Sequence, residues 1–380
     1  MQTASPLYFA TLGEKIAILH DQGIDVIRLD IGSPDLPPAP HILEALSRAA
    51  QRAEAHGYQA HNATAGLRVA WAEMYERLYQ VRLDPQREVL PLLGSKEGIF
   101  HLPLAVIDPG DVVLVPDPGY ITYTQGALFA GGEPHRLPLL PERDFLPDLS
   151  TIPQDILKRA RLLWLNYPSN PTAATASPEF FAEAVAFARE HNLLVCHDAA
   201  YSQVSFDGFQ PSSLLQVPGA QEVAVEFNTL SKSHNMAGWR VGVALGHPEV
   251  LRALYNLKTN ADSGHFLPVL EAATAAISGD QAWLRERNAI YQTRRDMVMQ
   301  ACKQLGWQAA TPRASLYVWF HVPDGWDSEG FASAVLQRSH VSLTPGTVFG
   351  VHGEGYIRLS FTDSTERVAQ AMDRLVKGWS

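Results

Sequence analysis

Thr229-Leu-Ser-Lys-Ser-His-Asn-Met-Ala-Gly-Trp-Arg240 gathers a lysine, hydroxyls and an arginine at the end of an apparent strand. The preceding run, Glu222-Val-Ala-Val-Glu-Phe-Asn228, alternates apolar and polar residues, and Arg240-Val-Gly-Val-Ala-Leu-Gly246 after it reads as a second strand. Lys232 therefore falls at the strand-to-loop edge where α/β sheets place their ligands. A lysine desolvated there loses its proton near neutral pH and attacks a carbonyl, forming a Schiff base. A lone loop lysine is ordinarily solvated, so this reading depends on what the rest of the chain brings to it.

Outward from Lys232, the middle of the chain repeats strand, polar loop and helix, the pattern of a parallel α/β sheet. Arg161-Leu-Leu-Trp-Leu-Asn-Tyr-Pro-Ser-Asn-Pro-Thr172 ends a strand near Asn170, and Leu193-Leu-Val-Cys-His-Asp-Ala-Ala-Tyr201 ends the next at Asp198 and Tyr201. An aspartate closing an apolar strand is costly to bury unless a cation meets it, and a pyridinium nitrogen would serve. In Leu90-Pro-Leu-Leu-Gly-Ser-Lys-Glu-Gly-Ile-Phe100 an apolar run meets Gly-Ser and then a helical stretch. That arrangement presents free N–H groups to a phosphate, or is an ordinary helix cap. The Walker pattern and GxGxxG are both absent from it. The strand from Asp111 leads into Tyr120 and Tyr123, either of which could stack on a planar ring or pack in a core. Gly32 closes the run Ile24 to Ile31 at a turn before prolines, and Tyr58 stands in a polar loop.

The composition agrees with an enzyme. With 380 residues and a formal charge of −10, the chain is long enough for two domains and carries the wrong sign for a nucleic-acid surface. No apolar stretch reaches membrane-spanning length, and Met1-Gln-Thr-Ala-Ser-Pro6 has no basic segment followed by an apolar one, which leads us to expect a cytoplasmic protein. Cys196 and Cys302 lack metal-like spacing and read as structural thiols in a reducing compartment; no metal site is expected.

A phosphate-binding helix start, an aromatic plate, an amide, a strand-end aspartate and a lysine together describe pyridoxal phosphate. The chain resembles the fold-type I, class I aminotransferases, through Asn170-Pro171, Asp198-Ala-Ala-Tyr201 and Thr229-Leu-Ser-Lys232 followed by Arg240. The resemblance implies an α/β fold: a large domain over 36–265 with a mainly parallel sheet flanked by helices, and a smaller α+β domain from 1–35 and 266–380. It further implies a Schiff base on Lys232, pairing of Asp198 with the pyridinium, and contacts of Asn170 and Tyr201 to the ring hydroxyl. Phosphate would be held by Ser95, Lys96, Thr229, Ser231 and Arg240. Tyr120 would stack on the ring, Tyr58 would reach the phosphate of the neighbouring subunit in a homodimer, Arg358 would clamp the substrate carboxylate and Gly32 would add a backbone contact. Of Lys15, Lys96, Lys158, Lys232, Lys258, Lys303 and Lys377, only Lys96 competes as the anchor, and its place at the phosphate loop suits a point charge instead.

Within the family the likeness is to the LL-diaminopimelate aminotransferases, through Gly94-Ser-Lys-Glu-Gly98, Cys196-His-Asp-Ala-Ala-Tyr201, Ser231 to Arg240 and Asn260-Ala-Asp-Ser-Gly264. It implies a ping-pong transfer from LL-2,6-diaminopimelate to 2-oxoglutarate. Ser233-His234 and Ala237 depart from the more usual Thr-Tyr and Thr. The distal end of such a donor needs an acceptor and a donor; Glu97 and Lys96, with Asn260 from the neighbour, are the candidates, although an acid at Glu97 also suits a first helical turn. Aminotransfer from aspartate, alanine, methionine or aromatic amino acids, or β-elimination on the same frame, are the alternatives. A nicotinamide dehydrogenase would need a glycine fingerprint that the chain lacks.

Overall fold

Apolar strands that read as continuous runs are covered on both faces, and here they build the larger of two units. A computed structural model describes residues 4–379, with side chains from Tyr8 onward; Met1–Thr3 of the N-terminal stretch read above lie outside the described residues. In chain order the strands are β1 (Ile27–Arg28), β2 (Val89–Leu93), β3 (Val112–Asp117), β4 (Glu133–Pro138), β5 (Ala160–Asn166), β6 (Leu194–Asp198), β7 (Ala224–Thr229), β8 (Val241–Gly246), β9 (Tyr317–His321), β10 (Val341–Ser342), β11 (Thr344–Pro345) and β12 (Tyr356–Ser360). Seven of them form one sheet in the order β2-β8-β7-β6-β5-β3-β4, in which β8 alone runs against its neighbours. The expected mainly parallel α/β architecture is present.

Helices cover both faces of this sheet, and their ends follow from local chemistry. The helices α1 (Ala4–Asp21), α2 (Pro40–Ala50), α3 (Ala65–Tyr79), α4 (Ser95–Val106), α5 (Ile121–Phe129), α6 (Gln154–Arg159), α7 (Pro178–His191) and the one-turn α8 (Leu230–Ser233) lie in the first part of the chain. In α7, Ser177 accepts the Phe180 N–H, Pro178 occupies the first turn where no N–H is needed, and Asn192 stops the helix in the left-handed region at φ 54°. Helices α9 (Pro248–Ala261), α10 (Leu267–Ser278), α11 (Ala282–Leu305), α12 (Ser328–Ser339) and α13 (Thr365–Trp379) follow. In α13 the buried Val368, Ala371, Met372 and Leu375 recur at the spacing of one helical face.

The second unit is a three-stranded antiparallel sheet, β11-β12-β9, packed with α11, α12 and α13. The N-terminal segment joins it: β1 pairs in parallel with β10, and Ser360 donates its N–H to Leu29 O at 2.8 Å. The expected strand from Ile24 to Ile31 is thus reduced to two ladder residues. Helix α10 goes the other way. Its Leu270, Ala272, Ala273, Ala276 and Ile277 belong to the apolar core of the large sheet, so that core reaches past residue 265.

The expected strand before Lys232 is present as β7, and the polar residues that alternate along it leave no solvated face. Every residue of β7 is buried, Glu226 and Asn228 included. Glu226 receives the Tyr75 and Ser213 hydroxyls and the Leu214 N–H, so the carboxyl is bonded inside the sheet-helix layer instead of hydrated.

Register brings the site together. Asn166, Asp198 and Phe227 are aligned across β5, β6 and β7, so three strand ends meet at one edge. On the other flank Leu92 pairs with Gly242, which sets the start of α4 beside the end of β7. A Cβ at Gly242 would lie 2.3 Å from Ser95 N and 2.6 Å from Gly94 C, both backbone atoms. Gly242→Ala should therefore lower stability by about 1–3 kcal/mol, seen as a lower urea midpoint. An unchanged midpoint would mean that the Gly94 turn yields without cost.

Candidate active site

At this edge lies a cleft of ≈ 600 Å³ between the two units, lined among others by Gly32, Ser95, Lys96, Tyr120, Asn170, Asp198, Tyr201, Thr229, Ser231, Lys232, Arg240 and Arg358. Side chains drawn from β5, β6, β7, α4, α8 and β12 thus meet in one place. Lys232 stands on α8, half-buried, with its Nζ donating to Gly32 O at 2.7 Å. Burial pulls its ammonium below the ordinary lysine range, and Arg358 and Arg240 act in the same direction, opposed by Tyr317 and Asp198. Behind it the fully buried Arg287 of α11 donates to Lys232 O at 2.7 Å and to Gln203 O at 2.8 Å, fixing the one-turn α8 from α11.

Asp198 closes β6. Its Oδ2 accepts the Tyr123 hydroxyl at 2.8 Å and its Oδ1 the Ala200 N–H at 3.2 Å, and Asn166 Nδ2 donates to its backbone carbonyl at 2.8 Å. Burial pushes the Asp198 carboxyl up, and the Tyr123 hydroxyl is the largest of the influences opposing it. The two tyrosines left open by the sequence are now distinguished. Tyr123 is buried, stacked on Trp164 with ring centroids 4.9 Å apart, and holds Asp198 from beneath, whereas Tyr120 lines the cleft.

The Gly94 turn has the form of an anion cradle. Gly94 has φ 78°, and a Cβ there would fall 2.2 Å from Arg240 Nη2, so the turn and the guanidinium lie against each other only because residue 94 is glycine. Ser95 and Lys96 begin the 12-residue α4, whose first N–H groups have no helical partner, and Thr229 Oγ1 lies 3.0 Å from Ser231 Oγ. On the opposite wall the Arg358 guanidinium lies between the Tyr317 and Phe349 rings at 4.4 and 4.7 Å. It donates to Asn170 Oδ1 at 2.9 Å and to Asp30 O at 2.8 Å, while its buried Nε has no partner among the described residues.

Three of the expected residues are not in this cleft. Glu97 is a correction: it points beneath the cradle, accepting the Leu93 N–H at 2.6 Å and Lys258 Nζ at 3.2 Å, and does not line the cleft. Burial works to raise its carboxyl, but His101, Lys258 and the Leu93 N–H outweigh it and hold the group below the ordinary range. Asn260 bonds back into its own helix, donating to Asn256 O at 2.9 Å, and Tyr58 is 92% exposed; neither lines the cleft of its own chain. The sequence reading missed Asn166 and Tyr317. Asn166 carried the same signal as Asp198, a polar residue ending an apolar strand. Tyr317, whose hydroxyl lies 2.8 Å from that of Tyr201, carried none, because only the pairing of β9 with β12 brings it here. Both cysteines are buried and free, and no cluster of metal-ligand side chains occurs among the described residues.

Known proteins share this arrangement. The pattern of the aminotransferase class I and II family matches residues 24–375. The LL-diaminopimelate aminotransferase of Moorella thermoacetica is 48% identical over 97% of this chain and 95% of its own length. That of Desulforudis audaxviator is 49% identical over 97% and 94%. Among solved structures, apo-BacF from Bacillus subtilis superposes with a TM-score of 0.95 at 36% identity, covering 100% of this chain and 97% of the other. A probable N-succinyldiaminopimelate aminotransferase from Thermus thermophilus follows with 0.92 at 35%, covering 97% and 99%. A family pattern spanning nearly the whole chain, relatives at close to half identity and a lysine set at the C-terminal edge of this sheet lead to one assignment: the chain belongs to the class I and II aminotransferases, enzymes that move an amino group from one carbon skeleton to another.

Proposed function

We propose that this aminotransferase works with pyridoxal 5′-phosphate on Lys232, takes its amino group from LL-2,6-diaminopimelate, passes it to a 2-oxo acid such as 2-oxoglutarate, and acts as a cytoplasmic homodimer. The observation that carries the cofactor is the buried Asp198 carboxylate. Its hydrogen-bond donors among the described residues are a tyrosine hydroxyl and a backbone N–H, neither of them charged, so a protonated pyridine nitrogen suits it. The glycine-closed cradle of Ser95, Thr229, Ser231 and Arg240 fits a phosphate, and Lys96 adds a point charge at its rim.

When bound, the cofactor supplies an electron sink for the charge left at the donor's Cα. The protein's residues do the rest. Arg358 offers a preorganised fork to the α-carboxylate, its charge already stacked between two rings. The Lys232 amine, held below its ordinary pKa, would take the proton from the donor's Cα and deliver it to a second carbon, not back to Cα. Tyr120, which lines the cleft, would cover the ring face, and Asn170 and Tyr201 would hold the ring hydroxyl, with Tyr317 orienting the Tyr201 hydroxyl. Asp198 would keep the ring nitrogen charged, and Gly32 would offer its backbone, which Lys232 already contacts. In the dimer, Tyr58 and Asn260 complete the neighbour's site, which accounts for a tyrosine left 92% exposed on its own chain.

The substrate name rests on the relatives at 48% and 49% identity. A second reading has its own support: Phe9, Ile121, Val348 and Phe349 are among the residues that line the cleft, and the acid expected to meet a distal ammonium, Glu97, is bonded to Lys258. An apolar or aromatic donor would suit that wall.

Borohydride reduction of the protein reconstituted with pyridoxal phosphate should fix the adduct on Lys232, and Lys232→Ala should fold but lose transamination. Reduction at Lys96 would place the anchor wrongly. A donor panel of diaminopimelate, aspartate, methionine and phenylalanine tests the substrate. A site that reads both distal charges should favour diaminopimelate in kcat/KM by about 10⁴ over apolar donors, whereas an apolar wall discriminates by only about 10–200-fold. Preference for phenylalanine or methionine would select the second reading. Mixing Tyr58→Phe and Lys232→Ala subunits should yield hybrid dimers with one site free of both lesions and activity above the mean of the two parents; activity at that mean would leave each site within one chain.

A further inference from the structure

Behind the strand edge that carries Asp198 runs a buried polar chain that the proposed chemistry does not use. His197 and Glu226 are aligned on β6 and β7 and are 0% and 1% exposed. His197 Nδ1 lies 2.8 Å from Glu226 Oε2, and Nε2 lies 2.9 Å from Tyr167 O. A carbonyl oxygen only accepts, so Nε2 carries a proton. Whether Nδ1 carries another depends on Glu226.

The surrounding hydrogen bonds decide that from their far ends. The Thr229 N–H donates to Asn228 Oδ1 at 2.7 Å, which orients the amide, so Asn228 Nδ2 donates to Tyr75 Oη at 3.1 Å. The Tyr75 hydroxyl then gives its own proton to Glu226 Oε1 at 2.6 Å. The Leu215 N–H donates to Ser213 Oγ at 3.1 Å, which leaves the Ser213 proton for Glu226 at 2.9 Å. The Leu214 N–H donates to Glu226 Oε2 at 2.9 Å. Three outside donors over both oxygens favour the charged form of a carboxyl, and an ionised Glu226 can only accept from Nδ1.

We propose that His197 is a buried imidazolium, protonated on both nitrogens and paired with ionised Glu226, and that it acts as a positioning residue for Asp198. Consecutive strand residues point to opposite faces, so this cation sits behind the carboxylate without touching the cleft. Through Nε2 it also holds Tyr167, whose neighbour Asn166 bonds the Asp198 carbonyl and the Asn170 N–H at 2.8 Å each. The ionisable groups acting on Asp198 are Tyr123 from α5, Tyr201 from the loop after β6, Lys232 from α8 and, from behind, His197. Burial pushes the Asp198 carboxyl up; after the Tyr123 hydrogen bond, His197 is the next influence holding it ionised. The role rests on the reading of Asp198 as partner of a ring nitrogen; the charge state of the pair does not.

The test is nuclear magnetic resonance of the full-length protein, labelled with ¹⁵N in the histidine rings and ¹³C in the aspartate carboxyls, read without turnover. At about pH 8 exposed histidines are neutral, so a ring with two protonated nitrogens is a buried one. Such a ring is expected in the wild type, absent in His197→Gln and singly protonated in Glu226→Gln; either variant alone assigns it. A wild-type spectrum in which every ring has one bare nitrogen would overturn the proposal, as would a doubly protonated ring that persists in both variants. In Glu226→Gln the Asp198 carboxyl, followed in the cofactor-free protein, should take up its proton at higher pH than in the wild type; an unmoved titration would overturn the positioning role. Because neither signal needs a substrate, failure of the donor panel and failure of this pair are distinguishable.

Discussion

Alignment of β5, β6 and β7 is the constraint on which the rest of the structure depends. Parallel pairing puts Asn166, Asp198 and Phe227 level, and the chain leaves all three strands toward the same side. Each strand is apolar enough to be buried on both faces, so the polar residue at its end has no water to meet and must find a partner. The partners are one another and the loops beyond. Asn166 bonds the Asp198 carbonyl, Thr229 lies against Ser231, and Lys232 follows within one turn.

That edge is completed from outside the sheet by groups whose charge the interior does not neutralise in the usual way. Arg287 lies fully buried with carbonyl and amide oxygens as its hydrogen-bond acceptors; burial draws its guanidinium down to about 10. Arg358 is buried between two rings, and Asp198 is bonded by neutral donors. Each arrangement is costly by itself. On the proposed function, a charged substrate or cofactor group would offset that cost for Arg358 and Asp198, while for Arg287 the return is position, since it ties the carbonyl of Lys232 to α11.

The same economy separates residues that look alike in the sequence. Glu97 and Glu226 are both acids beside important segments, and both are consumed by the scaffold: Glu97 with Lys258 under the Gly94 turn, Glu226 with Tyr75, Ser213 and His197 in the sheet-helix layer. Tyr120 and Tyr123 are three residues apart, yet one lines the cleft and the other holds Asp198 from below, because Tyr120 is the extended residue preceding α5 (φ −71°, ψ 120°) whereas Tyr123 lies within the helix.

The sequence alone determined the strand, loop and helix order, the glycine at 94, and a lysine, aspartate, asparagine and arginine each placed where an apolar run stops. These are local patterns, and the hydrophobic period and turn chemistry that produce them act over a few residues. The tertiary structure decided what depends on contacts between distant segments. It buried Glu226 inside the sheet-helix layer, turned Glu97 away from the cleft toward Lys258 of α9, and brought Tyr317 of β9 to Tyr201. It also sent α10 to the large core and joined β1 to β10 across more than three hundred residues of sequence. No spacing in the chain encodes these pairings, because they arise from the packing of whole elements and from the need of each buried polar group for a partner.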